Sequence, residues 1–291
     1  MFCMSDPPAP PPSTGEQRDG SALVDEEHPE ARGFGSQRRW RAELVAIALI
    51  VVALPLAFFW GARALAEVVA MRSSPTIDAA LGRPTWEGLK VSGQQCTSER
   101  AERYVRQVVA PLLAALGPTP FEFQFMVATS EDVNAFALPG GFVVVNRGLL
   151  AAAESGEEVA AVLAHELSHV TLRHSTKRVA GSLGVSAALA LILGAVDLGA
   201  PAYTLAHLSG LGYERDQERE ADEVGRALLM RAGISPIGMA TFFERLSSSL
   251  HPPEVVSTHP DPGDRAQRAR LAAQSFEPSV EVPAPPDVRC E

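Results

Sequence analysis

The hydrophobic positions of this chain follow helical spacing over most of its length and strand spacing over one short part. Apolar residues recur every three or four positions in 97–116 and again in 157–175, which predicts two amphipathic helices. Residues 121–127 alternate apolar and polar side chains, as a half-buried strand does, and the apolar run 142–146 predicts a second strand. We therefore expect a mainly α-helical fold with a small β-sheet (α+β), covering residues 75–275.

Further helix signals follow in the second half of this domain. Residues 214–231 are acidic and rich in helix-forming residues, which predicts a long helix. The pair Asp261-Pro262 combines an N-cap residue with a proline suited to a first turn, so a last helix is expected at 263–275. The proline-rich residues 276–291 are expected to form a C-terminal tail.

An uncharged apolar run of 19 residues, 44–62, precedes the domain. At about 1.5 Å per residue, a helix of this length matches the hydrocarbon thickness of a bilayer. Trp40 and Trp60 lie near its two ends, as interfacial anchors often do. A cleaved signal peptide and a buried core helix are the alternatives, but the long leader without a clear cleavage site favours a transmembrane anchor at 42–63. Residues 1–38, rich in Pro, Gly and Ser, are predicted to be disordered.

Arginines are unevenly distributed about this run. Four lie shortly before it, at Arg32, Arg38, Arg39 and Arg41, and two lie shortly after it, at Arg63 and Arg72. The positive-inside rule therefore predicts a single-pass protein with a cytoplasmic N-terminus. In a bacterium the domain would then lie in the periplasm, anchored to the inner membrane.

The three cysteines are too few and too scattered for a thiolate metal site or a disulfide scaffold. With the topology above, Cys96 and Cys290 share the oxidising side of the membrane, whereas Cys3 lies on the reducing side. We hypothesise a Cys96–Cys290 disulfide that ties the C-terminal tail to the domain.

A second nearly uncharged stretch, 179–213, lies inside the domain. Its cleanest apolar run, 183–196, has 14 residues and is short for a membrane span. A helical hairpin that is buried, or that dips into the bilayer surface, is favoured over two true spans. The formal net charge of −10 and the absence of a basic stripe argue against a nucleic-acid partner.

The chemistry of the chain centres on the sequence His-Glu-Leu-Ser-His, residues 165–169. On a helix, His165 and His169 lie on one face, so both can ligate one metal ion. Glu166 is rotated by about 100° from His165, where it can take a proton from a water molecule. A buried helix with two incidental histidines is the alternative interpretation.

A catalytic zinc site typically has three protein ligands, so a third ligand is needed. The metzincin pattern is excluded because Leu172 and Ser175 occupy its glycine and third-histidine positions. His174 is one position out of register and suits a supporting or packing role. Glu218 could ligate the metal, and Asp222, four residues later, could accept the far N–H of a ligating histidine. Three nearby acids are expected on a solvated face: Glu214, Glu220 and Glu223.

Four motifs occur in an order and spacing that resemble those of HtpX-like peptidases, membrane-associated gluzincins related to CAAX prenyl proteases. They are NAFALPGG, HELSH, EREAD and THPDPGDR, and the resemblance covers about residues 75–274. It implies a mostly helical zinc endopeptidase with one Zn²⁺ per chain. By motif position it implies that His165, His169 and Glu218 ligate the zinc, that Glu166 is the general base and that Asp222 supports a ligand.

The last motif implies two further site residues. His259 is expected either to stabilise the oxyanion or to occupy the fourth zinc position in a resting state. Arg265 is expected to hold the loop that carries His259 in place.

The expected function is hydrolysis of peptide bonds in misfolded or unassembled envelope proteins. An extended polypeptide substrate is expected to pair with an edge strand at Phe142, Val143 and Val144. The alternative is a chaperone-like or assembly factor whose peptidase activity stays latent under His259. A structural zinc protein is a third possibility, which Glu166 argues against.

Overall fold

The computed structural model of the protein describes residues 33–72, 74–179, 213–248, 254–260 and 264–290. Internal contacts divide the chain into two units, residues 1–56 and 57–291. Most of the segment 179–213, for which a helical hairpin was predicted, lies outside the described residues.

Helix α1 (Gly33–Arg72) contains the apolar run and continues through Pro55. Its window Arg39–Ala57 has a mean hydropathy of 2.0 and is not buried, so in the described part of the chain this helix is long and apolar enough to cross a membrane. The prediction of disorder through residue 38 is wrong for 33–38, which are helical. Extending an existing helix costs little free energy, and Gln and Arg are good helix formers. Residues 1–32 lie outside the described part.

The second unit is mostly helical with a three-stranded sheet, which confirms the predicted fold class. Its elements are α2 (Pro75–Val91), α3 (Glu99–Leu116), β1 (Gln124–Ala128), β2 (Ala135–Leu138), β3 (Phe142–Asn146), α4 (Arg147–Ala152), α5 (Gly156–Thr171), α6 (Arg215–Arg231), α7 (Ile237–Ser247), α8 (Glu254–Thr258) and α9 (Arg265–Gln274). Residues 174–179 are also helical. The helices α2, α4 and α8 and the strand β2 had no counterpart in the predicted elements.

The sheet has the order β1-β3-β2. Strand β3 pairs in parallel with β1 and antiparallel with β2, so it is the central strand. The prediction of a substrate-binding edge at Phe142, Val143 and Val144 is therefore wrong, because hydrogen bonds to β1 and β2 use both sides of β3. All three side chains are buried, and a continuous apolar run is typical of a strand covered on both faces.

Helix α5 forms the centre of the domain. Every residue from Glu158 to Val170 is buried, and α3, β2, α6 and α7 pack around the helix. Ser155 is the N-cap and its Oγ accepts a hydrogen bond from the Glu158 N–H at 3.3 Å. The Glu158 carboxylate accepts from the Glu154 N–H at 2.9 Å and pairs with Arg245 of α7, which ties the start of α5 to its neighbour.

Glycines permit the close approach of α6 and α7 to this helix. A Cβ atom on Gly238 would lie 2.3 Å from the backbone of Glu157, and one on Gly225 would lie 3.2 Å from the backbone of Ala164 and His165. The three helices are thus in backbone contact rather than separated by side chains.

The C-terminal residues 276–290 have no regular secondary structure but pack on the domain, with Val282 and Val288 buried. Tyr104 of α3 donates a hydrogen bond to the Pro283 carbonyl at 3.1 Å. A Cys96–Cys290 disulfide, with the Cα atoms 4.9 Å apart, fastens the end of this strap, as hypothesised. We call residues 276–290 the C-terminal strap.

Replacing Cys290 by Ser is expected to lower the free energy of unfolding by about 2–4 kcal/mol, because it frees a long loop in the unfolded chain and loosens the strap. Urea unfolding followed by circular dichroism measures the change. Cys3→Ser is the control, and reduction of the wild type should reproduce the effect. Equal unfolding midpoints for Cys290→Ser and wild type would contradict this role of the disulfide.

Candidate metal centre

Helix α5 brings the two predicted histidine ligands together in the core. His165 and His169 are one turn apart, and their Nε2 atoms lie 2.9 Å from each other. Both side chains are at most 2% exposed. Two imidazole nitrogens therefore converge on one point, with Glu166 buried beside them.

Helix α6 supplies the predicted carboxylates from the opposite side. The Glu218 carboxylate approaches Nε2 of His169 at 3.2 Å and Nε2 of His165 at 3.4 Å. Asp222, one turn later, places Oδ1 at 2.9 Å from Nδ1 of His165. The structure therefore places Glu218 at the convergence point and Asp222 behind His165.

Arg265 lies between these two carboxylates. Its Nη2 donates to Glu218 at 2.7 Å and its Nε donates to Asp222 at 2.7 Å. The side chain is 1% exposed, and its guanidinium carbon lies 4.1 Å from the ring centroid of Phe243. The predicted role of holding a loop is thus too narrow, since Arg265 directly compensates two buried acids.

His259 joins the same group of side chains. Its Nδ1 lies 3.2 Å from Nε2 of His165 and 3.1 Å from Glu218, while its Nε2 lies 3.5 Å from the Glu166 carboxylate. Among the described residues, one potential ligand atom from each of His165, His169, Glu218 and His259 lies within 4.8 Å of the others.

Sequence reasoning gave no role to Tyr213, whose ring stacks on His169 with the centroids 3.7 Å apart. An aromatic side chain just before an acidic helix is a weak signal that would not have identified this contact. Glu220 is exposed, as expected for a solvated face, and its carboxylate also contacts His174 at 3.2 Å.

Burial and neighbouring charges shift the acid–base properties of the group. Burial lowers the pKa of His165, but the charge of Glu218 and the contact with Asp222 outweigh it and raise that pKa to about 10. Burial and the neighbouring His165 hold the pKa of His169 well below its usual range. Burial opposes ionisation of Glu218, but the charges of His259 and His165 hold its pKa below the usual range. Burial raises the pKa of Glu166.

This donor set fits zinc. Imidazole nitrogens and one carboxylate are typical zinc ligands, and three protein ligands leave one position of a tetrahedral site for water or substrate. Apart from the hydrogen bond that Arg265 donates to Glu218, the ligand atoms of the four donors lie close to one another. An ion bound here would satisfy nitrogens and oxygens that otherwise face one another.

A HELSH helix that meets a glutamate from a later helix defines a zincin-type metallopeptidase. The chain belongs to peptidase family M48, whose family model matches residues 99–273. This confirms the resemblance to HtpX-like peptidases, and zinc is the metal of the family.

Several curated proteases are similar to this chain. The beta-barrel assembly-enhancing protease of Escherichia coli K12 is 32% identical over 196 residues, which are 61% of this chain and 40% of that protein. Metalloprotease YcaL of the same strain is 33% identical over 192 residues, 62% of this chain and 73% of the relative. The mitochondrial metalloendopeptidase OMA1 of Schizosaccharomyces pombe is 33% identical over 148 residues, 50% of this chain and 44% of the relative. The chain spans about two fifths of the beta-barrel assembly-enhancing proteases.

Replacing Glu218 by Ala is expected to reduce the zinc content of the purified protein from about one ion per chain to near none, because it removes one of three ligands. Glu223→Ala is the matched control, since Glu223 is an exposed acid on the same helix. Glu218→Gln, which keeps the side-chain shape, guards against misfolding. Elemental analysis measures the zinc. Full metal content in both Glu218 variants would show that another side chain is the third ligand.

Proposed function

We propose that the protein is a membrane-anchored zinc-dependent endopeptidase that hydrolyses peptide bonds of misfolded or unassembled envelope proteins. The observation that carries this proposal is the buried group of His165, His169 and Glu218 with the free carboxylate of Glu166 beside it. A structural zinc site has no need of a buried carboxylate that is left out of the ligand set.

Zinc, when bound, polarises the scissile carbonyl and acidifies a water molecule. Glu166 accepts the proton of the attacking water and transfers it to the leaving amine. Burial raises the pKa of Glu166, so its carboxylate is a stronger base than that of an exposed glutamate. Asp222 and Arg265 hold the ligands, as their contacts with His165 and Glu218 indicate.

The edge strand β2 replaces β3 as the proposed binding site for an extended substrate. The Asn134 carbonyl accepts a hydrogen bond from the Asn146 N–H at 3.0 Å. Pairing alternates along an antiparallel ladder, so the backbone groups of Ala135 and Ala137 point away from β3. The Ala137 carbonyl accepts from Ser175 Oγ at 2.7 Å, which agrees with this direction but means that a substrate pairing at Ala137 would have to displace Ser175. Because β2 packs against α5, a peptide on this edge would run beside the metal centre.

We place the anchor at residues 42–63 and the catalytic domain at 75–275, with the C-terminal strap as a part of the domain. The arginine asymmetry supports a cytoplasmic N-terminus and a periplasmic domain in a bacterial inner membrane. The Cys96–Cys290 disulfide supports the same topology, because disulfides persist in oxidising compartments. The similarity to a protease named for beta-barrel assembly supports envelope proteins as the substrates. The strongly acidic composition fits polypeptide partners and disfavours nucleic acid.

Replacing Glu166 by Gln is expected to lower the rate of casein digestion by about 10²–10⁴-fold, because it removes the group that transfers the proton. The zinc content should stay near one ion per chain, which separates loss of chemistry from loss of metal. The full chain in detergent is assayed beside the wild type. Undiminished digestion by Glu166→Gln would disprove the assigned base.

A latent peptidase is the second candidate, and the position of His259 favours it. Its Nδ1 lies among the proposed ligand atoms, where it can fill the fourth zinc position and exclude substrate. A protein restrained in this way could act on clients mainly by binding them.

His259→Ala is therefore expected to raise the hydrolysis of a short unstructured peptide several-fold, because it vacates the fourth position. His165, His169 and Glu218 should still retain the zinc. Peptide cleavage and zinc content of the variant and wild type are compared at equal concentration. A fall in cleavage with zinc retained would instead assign His259 to stabilisation of the oxyanion.

A further inference from the structure

His174 is a completely buried histidine that the proposed mechanism does not use. Its Nδ1 lies 3.0 Å from Nδ1 of His169, and its Nε2 lies 3.2 Å from the Glu220 carboxylate. His174 itself is 0% exposed, whereas the side chain of Glu220 is 53% exposed. The three side chains thus form a continuous row from the metal centre to the surface.

This row exists because the helix stops before His174. In an uninterrupted α-helix, residue 174 would be rotated by about 140° from residue 169 and would point away from it. Helix α5 instead ends at Thr171, although the sequence predicted helix to residue 175. Arg173 adopts a φ of 59°, which is unusual for a residue other than glycine, and a new helical turn starts at His174. The buried Asp78 of α2 pairs with Arg173 at 2.7 Å and holds it there.

The contacts of this row have one consistent set of donors and acceptors. A His169 that ligates through Nε2 carries its proton on Nδ1 and donates it to Nδ1 of His174. His174 then carries its own proton on Nε2 and donates it to Glu220. The opposite tautomer of His174 would set two N–H groups against each other at 3.0 Å.

We propose that His174 and Glu220 are positioning residues that hold His169 in the tautomer and orientation required of a zinc ligand. Their contact with Nδ1 orients His169 in the same way that the contact of Asp222 with Nδ1 orients His165. The inference rests on the proposed metal centre. Tyr213 fixes the plane of the His169 ring by stacking, but its hydroxyl bonds to Ser175, so the polar contact of His169 Nδ1 is with His174.

Four variants of the full chain test the pair by zinc affinity, measured by chelator competition. His174→Phe keeps a ring but removes the acceptor, and the dissociation constant is expected to rise about 10–100-fold, the usual effect of losing such a partner. His174→Asn keeps an acceptor at the position of Nδ1 and should recover most of the affinity. Glu220→Ala should weaken binding by a smaller factor, whereas Glu223→Ala, the matched exposed acid, should not.

The position of the proton on His169 and its exchange with water report the polar contact with His174, which packing alone would not provide. In the zinc-loaded protein labelled with ¹⁵N-histidine, His169 should show a proton on Nδ1 in the wild type and in His174→Asn. In His174→Phe that proton should exchange faster with water.

Affinity like that of the wild type in both His174→Phe and Glu220→Ala would overturn the proposal. Equal losses in His174→Phe and His174→Asn would also overturn it, because they would indicate packing. If His174→Phe fails to fold, the comparison of Glu220→Ala with Glu223→Ala decides. A wild type that binds no zinc would instead reject the metal centre, and the proposal with it.

Discussion

The structure depends on the burial of ionisable side chains within a helix that is covered on all sides. Helix α5 carries His165, Glu166 and His169 in the middle of the hydrophobic core, and α6 brings two carboxylates to the same place. Burial of uncompensated charge costs several kcal/mol per group. Arg265 supplies the compensating positive charge with hydrogen bonds to both carboxylates. The surrounding fold therefore has to compensate the buried charge of the metal centre as well as position its ligands.

This need to compensate buried charge explains why helices from distant parts of the sequence meet at α5. Arg265 opens α9, His259 follows α8, and Glu218 lies on α6, so three separate elements must dock before the charges are balanced. Their docking is directional at the site because Arg265 donates charge-assisted hydrogen bonds to both carboxylates. The C-terminal strap packs against α3 and the start of α5 and is held by the disulfide.

The parts of the site that depend on one helix could be predicted from the sequence. The spacing of His165 and His169, or of Glu218 and Asp222, determines a shared face without knowledge of the fold. The central position of β3 could not be predicted, because strand order depends on partners elsewhere in the chain. The end of α5 could not be predicted either, since Asp78 stabilises the turn at Arg173 from a helix far earlier in the sequence. For the same reason, the sequence indicated a supporting or packing role for His174 but not its partner, and Glu220 did not stand out from its local pattern.

Gly225 has a consequence for the choice of metal ion. It lies two turns after Glu218 on the same helix, and its lack of a side chain lets α6 rest on the backbone of Ala164 and His165. Closely packed backbones yield little, so α5 and α6 are held at a short separation, and the Glu218 carboxylate lies 3.2 Å from His169 Nε2 and 3.4 Å from His165 Nε2. Zinc bonds to such donors at about 2.0–2.2 Å, whereas calcium requires about 2.3–2.6 Å and six to eight oxygens. The short separation of the two helices therefore favours an ion that takes short bonds from few donors, in addition to the preference set by ligand type.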